Sequence, residues 1–149
     1  MKKIILSLLV GLLFLTISLS NASAHCEIPC GIYDDQLRAR LIAEHATTIE
    51  KSMRMILELS QAKQTNYNQM VRWVSNKEDH ATKIQHIVTQ YFMIQRIKPE
   101  QKQYSEKVIV LHKMLLAAMK CKQTTDLANV AALRDHLKEF ETLYFGHSH

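Results

Sequence analysis

Residues that break helices are scarce in this chain. Its 149 residues include three glycines and two prolines. Gly11 falls in the amino-terminal leader, so Gly31, Gly146, Pro29 and Pro99 punctuate everything that follows. A chain with so few turn formers is expected to run in long helices. No segment of consequence alternates apolar and polar residues with period two, so no sheet is expected. No dense Lys/Arg run is present to grip a polyanion, and nucleic acid is not an expected partner. There is no Cys-x-x-Cys-His motif and no Glu-x-x-His pair of the kind used by di-iron bundles. Internal repeats and low-complexity tracts are also missing.

The leader itself is informative. Lys2 and Lys3 precede an apolar stretch from Ile4 to Ser20, and Ala22-Ser23-Ala24 closes it in the small-x-small pattern of a signal-peptidase site. The expected reading is a signal peptide over residues 1–24, export, and a periplasmic or otherwise extracytoplasmic location. The apolar stretch, about 17 residues, is marginal for a membrane span. An uncleaved anchor is the alternative, and it would block the new amino group. Cleavage removes 24 residues and leaves 125, enough for one domain (25–149) with a single core. The formal charge of +5 falls to +3 once Lys2 and Lys3 are lost. That mild surplus draws small anions toward the surface. After cleavage no membrane association is expected.

Helical periodicity fills the mature chain. Asp34 or Asp35 can cap a helix at about 35–63, with apolar Ile42, Ile49, Met53 and Ile56. Gln64-Thr65-Asn66 supplies the cap of a second at about 67–98, striped by Trp73, Ile84, Ile87, Val88, Tyr91 and Ile94. Pro99 fits the start of a third at about 100–122, with Tyr104, Val108, Leu111, Leu115 and Ala118 on one face. Thr124 or Thr125 can cap a fourth at about 125–145, ended by Gly146. Four amphipathic helices with short connections predict an all-α, up-down-up-down four-helix bundle. Cys121 and the methionines Met53, Met55, Met70, Met93, Met114 and Met119 fall at apolar positions and are expected to pack. His45, His80, His86, His112 and His136 show no ligand spacing and are expected at surfaces or interfaces.

The chemistry is expected in a hook at residues 25–33, His25-Cys26-Glu27-Ile28-Pro29-Cys30-Gly31-Ile32-Tyr33. A histidine at a new terminus, followed at once by cysteine, gathers an amine, an imidazole, a backbone nitrogen and a thiol within two residues. The His25 amine and the Cys26 nitrogen close one five-membered chelate ring, and the Cys26 nitrogen and sulfur close another. Cys30, returned by a turn over Glu27 to Pro29, completes an N2S2 plane, with the His25 imidazole free to approach axially. Square-planar geometry with nitrogen donors points to Ni(II) or Cu(II), whereas structural zinc wants tetrahedral side chains. Two thiolates favour nickel, one ion per chain. Thiolates and an amidate also stabilise the higher oxidation state, so a Ni(III)/Ni(II) couple comes within reach. Tyr33 places a phenol near the open face, where it can position an anion or limit access. Two rival readings remain: an exported nickel or copper carrier without turnover, and a Cys26–Cys30 disulfide stapling a loop ahead of an inert bundle.

His-Cys-x-x-Pro-Cys-Gly-x-Tyr at a processed terminus, ahead of roughly 110 residues of helical bundle, resembles the nickel superoxide dismutases. The resemblance implies an enzyme, an oxidoreductase that disproportionates superoxide to oxygen and hydrogen peroxide. It implies metal ligation by His25, Cys26 and Cys30, a cis turn at Pro29, and assembly as a homohexamer. Tyr33 matches the tyrosine beside the family's substrate pocket, and the Tyr-Phe pair on a later helix assigns the second pocket tyrosine to Tyr91. Many family members carry a short propeptide removed by a dedicated protease, a job that signal peptidase can do here. The chain also departs from the pattern. The glutamate and arginine that steady the axial imidazole in actinobacterial members align with Ile42 and His80, leaving Glu44, His45 and His80 as candidates for that tether.

Overall fold

The computed structural model describes Ile28 and residues 31–146. These form four helices and no strand: α1 (Asp35–Gln61), α2 (Tyr67–His86), α3 (Tyr104–Gln123) and α4 (Leu127–Phe145). The helices pack α1 on α2, α2 on α3, α3 on α4, and α4 back on α1. Sequential neighbours plus a closing contact make the expected up-down-up-down four-helix bundle.

Local chemistry sets the helix ends. The Asp34 carboxylate accepts the Leu37 N–H at 2.8 Å and starts α1, so of the two adjacent aspartates Asp34 caps and Asp35 begins the helix. Asn66 accepts from the Gln69 N–H at 3.2 Å and starts α2. Asp126, rather than Thr124 or Thr125, caps α4 through the Ala128 N–H at 2.9 Å. Gly146 ends α4 in the left-handed region at φ 81, where its N–H reaches the Thr142 carbonyl.

The second helix departs from the simple reading. α2 runs directly into a π-helical segment, Ile87–Arg96. In π winding the backbone bond spans five residues instead of four, so residues five apart share a face. Ile87 and Phe92 therefore both turn inward, as do Tyr91 and Arg96, while Ile94, expected on the apolar stripe, rotates out to 57% exposure. The third helix starts at Tyr104 rather than near residue 100. Residues 99–103 turn instead, with Gln103 left-handed at φ 55 and the Gln101 Nε2 donating to the Arg96 carbonyl at 2.9 Å.

The core is continuous along the bundle. Ala39, Ile42, Ala46, Ile49 and Met53 step by three and four down α1 and are buried in one cluster with Ile84, Val88 and Phe92, Leu111 and Met114, and Leu133 and Phe140. Phe92 and Phe140 meet edge to face at 4.9 Å, a geometry contributing about 1 kcal/mol beyond burial. Met53 and Met114 are fully buried as expected, whereas Met119 is exposed. Cys121 is a free, fully buried thiol that burial raises to about 11, so it packs as a small apolar group. Beside it lies Lys77, whose ammonium donates to the Cys121 carbonyl at 2.8 Å, to the Lys122 carbonyl, and to Glu78 at 3.0 Å. A cation on the last carbonyls of α3 satisfies orphan acceptors and complements the helix dipole. Among the described residues no helix is long and apolar enough to cross a membrane.

Candidate metal centre

The predicted ligands His25, Cys26 and Cys30, and the Pro29 turn, lie outside the described residues. Their neighbourhood is nonetheless constrained by the chain that follows. Cys30 is three residues from Tyr33, so the two Cα atoms are at most about 11 Å apart. Gly31 takes φ 93, a left-handed conformation open to glycine and strained for other residues. Ile28 and Tyr33 are partly buried and pack against the core. The hook therefore joins the bundle at the end where α1 begins.

That end carries a polar cluster centred on Asp35. Its carboxylate accepts the Tyr91 hydroxyl at 2.5 Å, the Tyr144 hydroxyl at 2.8 Å, and a two-pronged Arg96 guanidinium, Nε to Oδ1 and Nη2 to Oδ2, each at 2.8 Å. The partners come from α1, the π-helical segment and the last turn of α4, so the cluster ties three elements together. The π winding matters here because Tyr91 and Arg96, five residues apart, both turn toward the same carboxylate. Arg96 also lies 4.2 Å from the centre of the Tyr33 ring, and Arg38 lies 5.1 Å from that of Tyr91. Tyr33 and Tyr91 meet edge to face at 5.9 Å. The two tyrosines expected at the site, 58 residues apart in sequence, are thus adjacent in space.

The electrostatics follow from these contacts. Burial pushes the Asp35 carboxyl up, but hydrogen bonds from Arg96, Tyr91 and Tyr144 and the Arg96 charge outweigh it, and the net shift is below the usual 3.8. Burial and the bond to Asp35 raise both phenols, Tyr144 to about 12 and Tyr91 further. Each hydroxyl therefore stays protonated near neutral pH and keeps donating to Asp35. Asp35, Arg96, Arg38 and Tyr144 were not singled out from the sequence. Asp35 reads there only as a candidate helix cap.

The three tether candidates separate. Ile42 is fully buried in the core. His45 on α1 and His80 on α2 meet, Nδ1 to Nδ1, at 3.0 Å with ring planes 81° apart. Glu44 is exposed, and its charge acts on both rings. Burial, the partner imidazole and Lys83 lower the His45 value; burial and Lys83 lower that of His80, against Asp79 and Glu44. Among the described residues no group of three or more His, Cys, Asp or Glu side chains is placed to hold a metal ion.

Against protein-family models, residues 20–148 match the nickel-containing superoxide dismutases. The chain belongs to this family. Comparisons with curated proteins and with solved structures return no match. The match spans the predicted hook and all four helices. As a nickel-containing superoxide dismutase the protein is an oxidoreductase, nickel is its cofactor and superoxide its substrate.

Proposed function

We propose that signal peptidase cuts after Ala24 and that the freed terminus holds one nickel ion through the His25 amine and imidazole, the Cys26 nitrogen and thiolate, and the Cys30 thiolate. The donor set fits that ion: nitrogen donors and thiolates available in one plane suit a square-planar d-block metal better than the tetrahedral side chains of a zinc site. When bound, nickel supplies the one-electron oxidation and reduction on which the activity depends.

The other residues have separate tasks. Disproportionation joins two superoxide anions and two protons to give oxygen and hydrogen peroxide, so the site must attract an anion and admit protons. Arg38 and Arg96 place cationic groups beside Tyr33 and Tyr91, and Asp35 offsets the charge of Arg96. We assign Tyr33, which follows directly on the hook in sequence, to the approach, with the buried Tyr91 ring packed edge to face against it. Because the Tyr91 hydroxyl is held by Asp35, we assign Tyr91 to positioning and exclusion rather than to proton delivery. The observation that carries this reading is the Tyr33–Tyr91–Asp35–Arg96 cluster at the end of the bundle where the hook joins.

Export to a periplasmic or other extracytoplasmic compartment follows from the leader as a proposal. Assembly as a homohexamer rests on the family resemblance, and the exposed Ile94 and Ile109 offer apolar surface for it. The decisive test is Cys26→Ser and Cys30→Ser, each expected to abolish nickel binding and superoxide turnover together. Retained turnover in either variant would overturn the assignment. One residue added before His25 should likewise remove activity, and full activity there would exclude the terminal amine.

A further inference from the structure

His45 and His80 offer a chemistry beyond the tether for which the sequence made them candidates. Antiparallel packing of α1 against α2 brings together two imidazoles 35 residues apart, with their Nδ1 atoms converging at 3.0 Å. Two imidazole nitrogens bound to one divalent transition ion at about 2.1 Å, at right angles, stand about 3.0 Å apart, and a tetrahedral angle opens this to about 3.4 Å. The spacing that accommodates one shared proton between the rings therefore also accommodates one shared metal ion. Both rings are half-buried, each anchored on a long helix, and open enough to water for solvent to complete the coordination. Glu44 and Asp79 flank the pair and offset added positive charge, while Lys83 opposes it. Arg38, Leu41, Lys83 and His86 line a surface groove that reaches His45 and gives an ion access from solvent.

We propose that His45 and His80 form a second metal site, binding a borderline divalent ion such as zinc or copper through their two Nδ1 atoms and bridging α1 to α2. His45 lies ten residues along α1 from Asp35, about 15 Å at the helical rise, so the site is not part of the Asp35 cluster. An ion held there would cross-link the two helices and stabilise the folded bundle by mass action.

The test is a zinc titration of mature, nickel-loaded protein, followed by equilibrium dialysis with metal analysis. One zinc per chain beyond the nickel is expected. His80→Gln and His45→Gln should weaken that binding by at least about 100-fold, more than the loss of an outer-sphere partner causes. His112→Gln and the His147→Ala/His149→Ala double variant should leave it unchanged. X-ray absorption at the zinc edge of the unmutated protein gives a readout independent of how the variants fold, with imidazole and oxygen neighbours expected and no sulfur. Zinc should also bind the Cys26→Ser/Cys30→Ser protein. No zinc uptake by the unmutated protein, sulfur at the zinc edge, or unchanged binding in both histidine variants would each overturn the proposal.

Discussion

Replacing Asp35 by asparagine removes the charge at the hub of the cluster while keeping its shape. In the native protein the carboxylate accepts two phenols and a two-pronged guanidinium, and Asp35 and Arg96 side chains are 17% and 29% exposed. An asparagine offers one acceptor oxygen and turns an NH2 toward donors, so at least two of those bonds are lost. Hydrogen bonds to a charged group are worth about 1.5–3 kcal/mol each, and breaking a buried pair costs about 3–5 kcal/mol. Partial exposure of Arg96 reduces this, so we expect a loss of about 2–4 kcal/mol. For a domain of this size that lowers Tm by roughly 10 °C. The assay is thermal unfolding followed by circular dichroism, with both proteins at one concentration because assembly raises Tm. The pH dependence provides an internal check. The folded Asp35 value lies below the usual 3.8, so its stabilisation is complete above that value and disappears as pH falls through the folded one. The gap between native protein and Asp35→Asn should be constant from about pH 5 to 8 and close below about pH 4. A Tm within about 2 °C of native at neutral pH, or a gap that widens in acid, would refute the reasoning.

Lys77→Met keeps the aliphatic stem but leaves the Cys121 and Lys122 carbonyls without their cation; a loss of about 1–3 kcal/mol is expected in denaturant unfolding. Cys121, buried and raised to about 11, should resist thiol reagents in the folded protein and react at once on unfolding; rapid labelling of the native state would contradict its packing role. Tyr91→Phe removes a bond to Asp35 but keeps the ring against Tyr33, so it should cost about 1–3 kcal/mol of stability while retaining nickel and measurable superoxide turnover. Turnover lost with nickel retained would mean that the hydroxyl delivers a proton.

The elements encoded locally were legible in the sequence. Asn66 and Gly146 announce helix ends through their own side chain or backbone freedom, and the period of Ala39, Ile42, Ala46, Ile49 and Met53 points one face inward. The donors proposed for the hook are neighbours in sequence, so the chelate rings proposed for them rest on covalent geometry and not on the fold. Winding was less legible. The apolar pattern runs unbroken from Ile84 to Ile94, and nothing in it distinguishes an α turn from the π turns that expose Ile94 and aim Arg96 at Asp35. Contacts between distant residues were not legible from helical patterning. Asp35 meets partners 56, 61 and 109 residues away, and His45 meets His80 across 35. Such pairings depend on helix register, which helix-by-helix patterning leaves open. Tyr33 and Tyr91 were exceptions, because the resemblance to a known family carried the long-range information.

Metal analysis of the mature protein, with its first residue identified by amino-terminal sequencing, tests the central claim most directly. Histidine first and nickel at about one per chain are predicted when zinc and copper are excluded from the preparation. Protein that begins at His25, is folded and reduced, and still takes up no nickel would contradict it.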